Sequence, residues 1–472
     1  MYSFYRGWNI SISRLNCYGS GQVQKKHFYV TRFKAILPFL MLGFVIGMMA
    51  VIIPLQDAIG VTALCVFFMA LLFLICLQKH AELRKILVIA FVLRATLALI
   101  HLYVIPLPDS QADAVTFERI GWELAQGWAN GKSFELITGA YLYSWIIGIV
   151  YYVFGRSALL IQAMNVFLGT LIVYVTAVIA RKLFDTRIAI FTAWATCLFP
   201  SLLLYSAITM REAVTVFFFA LALLYLVHWL KVDRIHFLLL SMVCLLASGL
   251  FHTGMMFLLV IPMMFWFYRA VIVFLKARMG LFTLKVLASI LLIGVLLVPF
   301  VTGAGMEKMG DISRLLDSDY FGMRHGIQAR DRAAYLTSLK IASPTDLLFA
   351  VPLKVIYFLF APFPWQISAP VDFMGALDGL LYLGLIVSAL YGLMEIRRQR
   401  GKTVFWGLVA VLITGIAIFA MGTGNYGTAL RHRAKFAFLL IAIAGPILYH
   451  LWQRSVGRIR ASKNLYYQKV AG

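Results

Sequence analysis

Charge is what this chain has least of. Only 13% of its 472 residues are charged, and acidic residues are the scarcer kind, 19 Asp and Glu against 42 Lys and Arg. Globular domains carry about a quarter charged residues, so a soluble fold is excluded. Cysteine is sparse as well. Cys17, Cys65, Cys76, Cys197 and Cys244 have neither the paired spacing of a metal site nor the density of a disulfide framework. Apolar residues fill the space instead, 62% of the chain with a mean hydropathy of +0.89, which identifies a polytopic membrane protein. The net charge of +23 follows from Lys and Arg collecting in cytoplasmic loops and tails, and nucleic-acid binding is set aside. Residues 1–34 hold Arg6, Arg14, Lys25, Lys26, Arg32 and Lys34 without a long apolar core. They read as a cytoplasmic extension, not a cleaved signal peptide.

Crossing a bilayer takes about 20 apolar residues in a helix. Runs at 35–54, 61–78, 86–105, 158–180, 188–205, 214–230, 237–251, 254–267, 286–301, 377–394, 403–421 and 436–452 meet or approach that length. The expectation is an all-α fold of about 12 transmembrane helices, with both termini cytoplasmic. It divides into a core at 35–301, a C-terminal helical group at 374–452 and a tail at 453–472. Two apolar blocks, 141–154 and 347–360, are too short to cross. If the first did cross, Arg181, Lys182 and Arg187 would fall outside; laid on the outer surface, it leaves them inside. The second ends in the breaker run APFPWQISAP, whose prolines do not suit a helix interior. Both are expected as surface or re-entrant elements of two extracytoplasmic loops, 106–157 and 302–373.

Acidic residues gather in one stretch, PLPDSQADAVTFERIGWELAQGWANGKSFELITGA, which sets Asp109, Asp113, Glu118, Glu123 and Glu135 against Arg119 and Lys132. The spacing of Phe117, Ile120, Gly121, Leu124 and Ala125 predicts an amphipathic surface helix from Asp113 through Gln126, stopped by Gly127. Asp109 and Asp113 are the candidate catalytic carboxylates. Near an apolar surface a carboxyl can rise toward neutrality and accept a proton from a hydroxyl; the plain alternative is a helix cap with a solvated neighbour. Arg211-Glu212 follows SAITM, and Arg431-His432-Arg433 follows GTGNYGTAL. Both groups sit at outer span ends, the side that positive-inside bias depletes. Arg211, Arg431 and Arg433 suit a phosphate held by bidentate hydrogen bonds, with snorkelling to lipid headgroups as the alternative. Glu212, His252, Lys354 and Trp365 are candidate lining residues, although His252 equally closes a polar helix end and Lys354 and Trp365 equally anchor their block at the interface. Arg94, in mid-helix, is costly unless paired and reads as a buried structural ion.

The run Asp113-Ala-Val-Thr-Phe117, an Asp followed four residues on by an aromatic, opens a small-residue helix closed by Gly. After it, YLYSWIIGIVYYVFGRSALL ends a surface helix in Phe-Gly, and a span descends to a basic turn and returns to Pro-Ser near the outer face. From Arg94 to about Leu230 this pattern resembles the GT-C membrane glycosyltransferases, the group that includes protein O-mannosyltransferases and the lipid A aminoarabinose transferase. The resemblance implies a polyprenyl-phosphate-linked sugar donor and a carboxylate base in the first outer loop, matched by Asp113 with Asp109 as its neighbour. It implies a lipid phosphate at Arg211, Arg431 and Arg433, and a multi-pass protein of the bacterial inner (plasma) membrane. The expected reaction is inverting transfer to a hydroxyl of a glycan, lipid or protein acceptor at the outer face. Phosphate is a good leaving group, so no cofactor is required; a divalent metal on Asp109 and Asp113 stays open. The loop lacks the His-Pro-Pro-type run of several relatives, and Arg211-Glu212 replaces their lone acidic residue, which leaves sugar and acceptor unassigned. A lipid-linked glycan polymerase or ligase shares the chemistry. A 12-helix transporter is the rival of another class, against which stand the lack of an internal repeat and the ionisable groups at the outer surface.

Overall fold

In the computed structural model, residues 57–78, 80–111, 113–276, 294, 332–339 and 345–471 are described. Secondary structure there is helical, apart from an isolated antiparallel bridge between Ala334 and Asn425. In chain order the α-helices are α1 (Ala58–Cys76), α2 (Ala81–Tyr103), α3 (Asp113–Ala129), α4 (Leu142–Phe154), α5 (Ala158–Leu183), α6 (Thr186–Leu198), α7 (Pro200–Ala207) and α8 (Glu212–Val232). They continue as α9 (Ile235–Phe251), α10 (Val260–Lys276), α11 (Asp346–Phe360), α12 (Pro370–Arg400), α13 (Lys402–Met421) and α14 (Tyr426–Ala471). Among the described residues eight helices are long and apolar enough to cross a membrane, nine if the bent pair α6–α7 is one span. The chain is therefore an all-α multi-pass membrane protein. Expected spans 35–54 and, residue 294 apart, 286–301 lie outside the described residues, as does the extension 1–34.

Local chemistry sets the boundaries. Ser157 caps α5 by accepting from the Leu160 amide, and Asp185 caps α6 by accepting from the amides of Arg187 and Ile188. Pro200 and Pro370 stand in the first turns of α7 and α12, where a missing N–H goes unnoticed. The expected stop at Gly127 is corrected: α3 runs to Ala129 and ends at Gly131, whose φ of 85° lets the Lys132 amide reach back to Gly127 O at 3.0 Å. Other expectations shift too: the run 237–251, expected to cross, is a 17-residue helix, α9, outside the eight, and α12 starts at Pro370, ahead of 377. The run 188–205 is broken by 56° between α6 and α7, and the last helix starts at Tyr426, ten residues ahead of its expected start. The blocks judged too short to cross form α4 and α11, of 13 and 15 residues.

α14 is the central post. Its run from Phe436 to Ala444 is buried on every side, as a helix apolar all round must be, and it packs against α5, α6, α8 and α12. α12 comes closest at Gly392, where an added Cβ would stand 1.8 Å from Ile443 O. The α3–α4 pair closes one end of the site: Ala114, Phe117, Gly121, Ala125 and Trp128 recur at helical spacing and bury against Tyr143, Ile147 and Tyr151. A charged hook ties the pair: Arg156 donates to both oxygens of Glu118 at 2.9 and 3.0 Å, and the Tyr151 hydroxyl donates to the same carboxylate at 3.1 Å.

Candidate active site

α2 ends at Tyr103 and gives way to a turn in which the Ser110 hydroxyl donates to Leu107 O at 2.6 Å and the Leu107 amide donates to His101 Nδ1 at 3.1 Å. The turn drives Asp109 to φ 61°, a left-handed conformation that Asp tolerates better than bulkier residues. Its carboxylate accepts from the Tyr205 hydroxyl at 3.2 Å and lies 3.3 Å from Arg431 Nε. That last contact is an ion pair without hydrogen-bond alignment, since Nε finds no hydrogen-bond partner. Asp113, the first residue of α3, pairs with Arg431 Nη1. One guanidinium from α14 is thereby shared between two carboxylates from the first loop. Burial pushes the Asp109 carboxyl up to about 6, against the pull of Arg431 and the Tyr205 hydroxyl.

A second charged layer lies behind this one. Lys435, one turn along α14 from Arg431, donates to Glu212 Oε1 at 3.1 Å, and both side chains are buried. Arg211, just ahead of α8, places its guanidinium over the Phe117 ring at 5.3 Å from the centroid. His432 joins Thr423 Oγ1 through Nδ1 at 3.1 Å and His252 Nε2 through Nε2 at 3.2 Å, so His252 reaches the same helix end.

Asp109, Asp113, Arg211, Glu212 and Arg431 therefore come together around the start of α14 and α8, and His252 meets His432 on the same turn of α14. Arg433 does not join them, a correction to the expected phosphate grip. It is wholly buried and donates to Asp378 at 2.8 Å and to the carbonyls of Leu359, Ala361 and Gly375. Helical geometry explains this: residues 431 and 433, two apart, point about 200° apart around one helix. Lys354 is buried and donates to Met421 O at 2.9 Å, joining α11 to the end of α13. Trp365 is exposed and stacks on Phe363. Sequence reasoning missed Tyr205 and Lys435; the one available pointer to Lys435 is its place four residues after Arg431. Among the described residues no three His, Cys, Asp or Glu side chains converge to hold a metal ion, and no ligand set is assigned.

No family model matches the chain, and no curated protein matches it. In structure it is similar to an archaeal oligosaccharyltransferase. The Archaeoglobus fulgidus oligosaccharyltransferase in its apo form aligns at a TM-score of 0.46 and 14% identity, over 81% of this chain and 52% of that one. The oligosaccharyltransferase AglB of the same organism, in complex with an inhibitory peptide and a dolichol-phosphate, aligns at 0.45 and 15%, over 82% of this chain and 52% of that one. The chain thus spans about half the length of these enzymes. The chemistry of the site rests on its own residues.

Proposed function

We propose that the chain is an integral membrane glycosyltransferase that moves a sugar from a polyprenyl-phosphate donor to an acceptor hydroxyl, with inversion at the anomeric carbon. The observation that carries this reading is Arg431 held between Asp109 and Asp113. A cation suited to a lipid phosphate stands beside a carboxyl raised into the range of a general base. The base role expected for Asp113 passes to Asp109, because Asp109 is the more enclosed of the two, its side chain 28% exposed against 50%. Asp109 takes the proton of the acceptor hydroxyl, and the acceptor oxygen bonds to the anomeric carbon as the bond to the donor phosphate breaks. The electron pair passes to the phosphate oxygen, where Arg431 and Arg211 stabilise the growing negative charge. Asp113 balances Arg431 until the donor arrives. Buried Lys435 also approaches Arg431 O, at 3.5 Å, and steadies that turn from behind.

The reading includes action at the outer face of a bacterial plasma membrane, with cytoplasmic termini and a glycan, lipid or protein acceptor. Membranes containing Asp109→Asn, Asp113→Asn or Arg431→Gln, supplied with radiolabelled lipid-linked sugar, test it. General-base loss costs about 10²–10⁴-fold, so Asp109→Asn should transfer at that reduced rate; turnover at the wild-type rate removes the proposed base.

A further inference from the structure

Arg94 takes no part in the chemistry above, yet it is wholly buried in α2, a helix apolar enough to cross a membrane. A guanidinium in such a place is costly and calls for partners. Its partners are neutral. Nε donates to Ser206 Oγ at 2.9 Å, and Nη1 donates to Ala90 O at 3.1 Å and to Cys197 O at 3.5 Å. Ser206 and Cys197 stand on opposite sides of the break in the bent span. Cys197 belongs to the last turn of α6, where the final carbonyls lack intrahelical partners and carry the negative end of the helix dipole. Pro200, opening α7, brings no N–H to satisfy them. The guanidinium caps the inner half-helix while gripping the outer one.

That outer half-helix reaches the candidate site. Ser206 adjoins Tyr205, whose hydroxyl donates to Asp109, and Asp109 lies in the turn that follows Arg94's own helix. α2 and its outgoing turn are therefore fastened to α7 at two points, Arg94 to Ser206 and Asp109 to Tyr205. A third helix yields to the first of them: a Cβ on Gly169 of α5 would come within 2.4 Å of Ser206 Cβ and 2.9 Å of Arg94 Nε.

We infer that Arg94 is a positioning residue: by fixing the bend between α6 and α7, it holds the Tyr205 hydroxyl on the Asp109 carboxylate. The inference rests on the role proposed for Asp109. Wild type, Arg94→Gln, Arg94→Lys, Gly169→Ala, Tyr205→Phe and the Arg94→Gln/Tyr205→Phe double variant, purified in nanodiscs, are assayed with a synthetic polyprenyl-phosphate sugar. Thermal midpoints are read on the same samples without substrate. A shift of about 1 Å in a catalytic group costs up to about a hundredfold, so Arg94→Gln, Gly169→Ala and Tyr205→Phe should each lower kcat about ten- to hundredfold with donor KM within about twofold. The double variant should lose no more than the worse single, and Arg94→Lys, which keeps one donor toward Ser206, should recover part of kcat. A double variant whose loss is the product of the two singles overturns the inference. So does an Arg94→Gln protein with full kcat in its folded fraction. The midpoints separate this failure from failure of the reaction itself: less-than-additive lowering in the double variant supports the coupling even if the wild type transfers no sugar, and additive lowering overturns it.

Discussion

With its carboxyl pushed up to about 6, Asp109 is about nine-tenths ionised at pH 7 and about one-tenth ionised at pH 5. If that carboxylate takes the acceptor proton, kcat/KM should fall about tenfold between those values, with a midpoint near 6. An aspartate in water would leave the rate flat until about pH 4. The Tyr205 hydroxyl holds the midpoint down by donating to the charged form. A hydrogen bond to a charged group contributes about 1.5–3 kcal/mol; with about half of that expressed, Tyr205→Phe should move the midpoint up by about one pH unit. Initial rates with radiolabelled lipid-linked sugar, taken between about pH 4.5 and 8, measure both. The same group leaves a mark on stability. The fold binds this proton more tightly than the unfolded chain does, so the group stabilises the fold increasingly as pH falls through about 6, and that contribution is lost above it. Asp109→Asn should therefore raise the thermal midpoint more at about pH 7.5 than at about pH 5. A rate profile flat from pH 5 to 7, or an unchanged acid limb in the residual activity of Asp109→Asn, refutes the assignment.

Lys435→Met strands the buried Glu212 carboxylate. It should cost about 3–5 kcal/mol of stability, most of it regained on adding Glu212→Gln, with both read as thermal midpoints. Arg433→Gln should likewise cost about 3–5 kcal/mol, because Asp378 loses its partner, while donor KM stays put; a raised KM at wild-type stability would return Arg433 to the phosphate. Gly392→Ala presses a methyl against Ile443 O and should cost about 1–3 kcal/mol by forcing α12 from α14. An unchanged midpoint would show that the two helices have slack at that crossing.

The helices were legible because a bilayer demands long apolar runs, although α12 and α14 extend well past the apolar runs that announced them, on polar turns at their ends. The break in the bent span was not. Phe199 and Pro200 lie inside an apolar run, and a proline in a first helical turn looks the same in sequence as one within a span. The carboxylates stand out as an acidic cluster in an acid-poor chain, and the arginines as cations at span ends expected to face outward, the side that positive-inside bias depletes. Which arginine would face them depended on where the last helix starts. A start at 436 would have left Arg431 and Arg433 in a loop with equal reach, whereas the start at Tyr426 gives each a fixed direction. Arg94 was readable as a buried ion needing partners, but those partners are backbone carbonyls and a serine, which no residue type advertises. Tyr205 is one of 22 tyrosines, and only the fold brings it to Asp109.

Arg431, Arg433 and Lys435 leave a single helix toward three neighbours: the first loop, α12 and the opening of α8. One rod thus carries the cation that meets both loop carboxylates and two of the bundle's internal fasteners on its opening turns. Its clock position is locked, because rotating it to re-aim Arg431 would pull Arg433 and Lys435 from their sockets together.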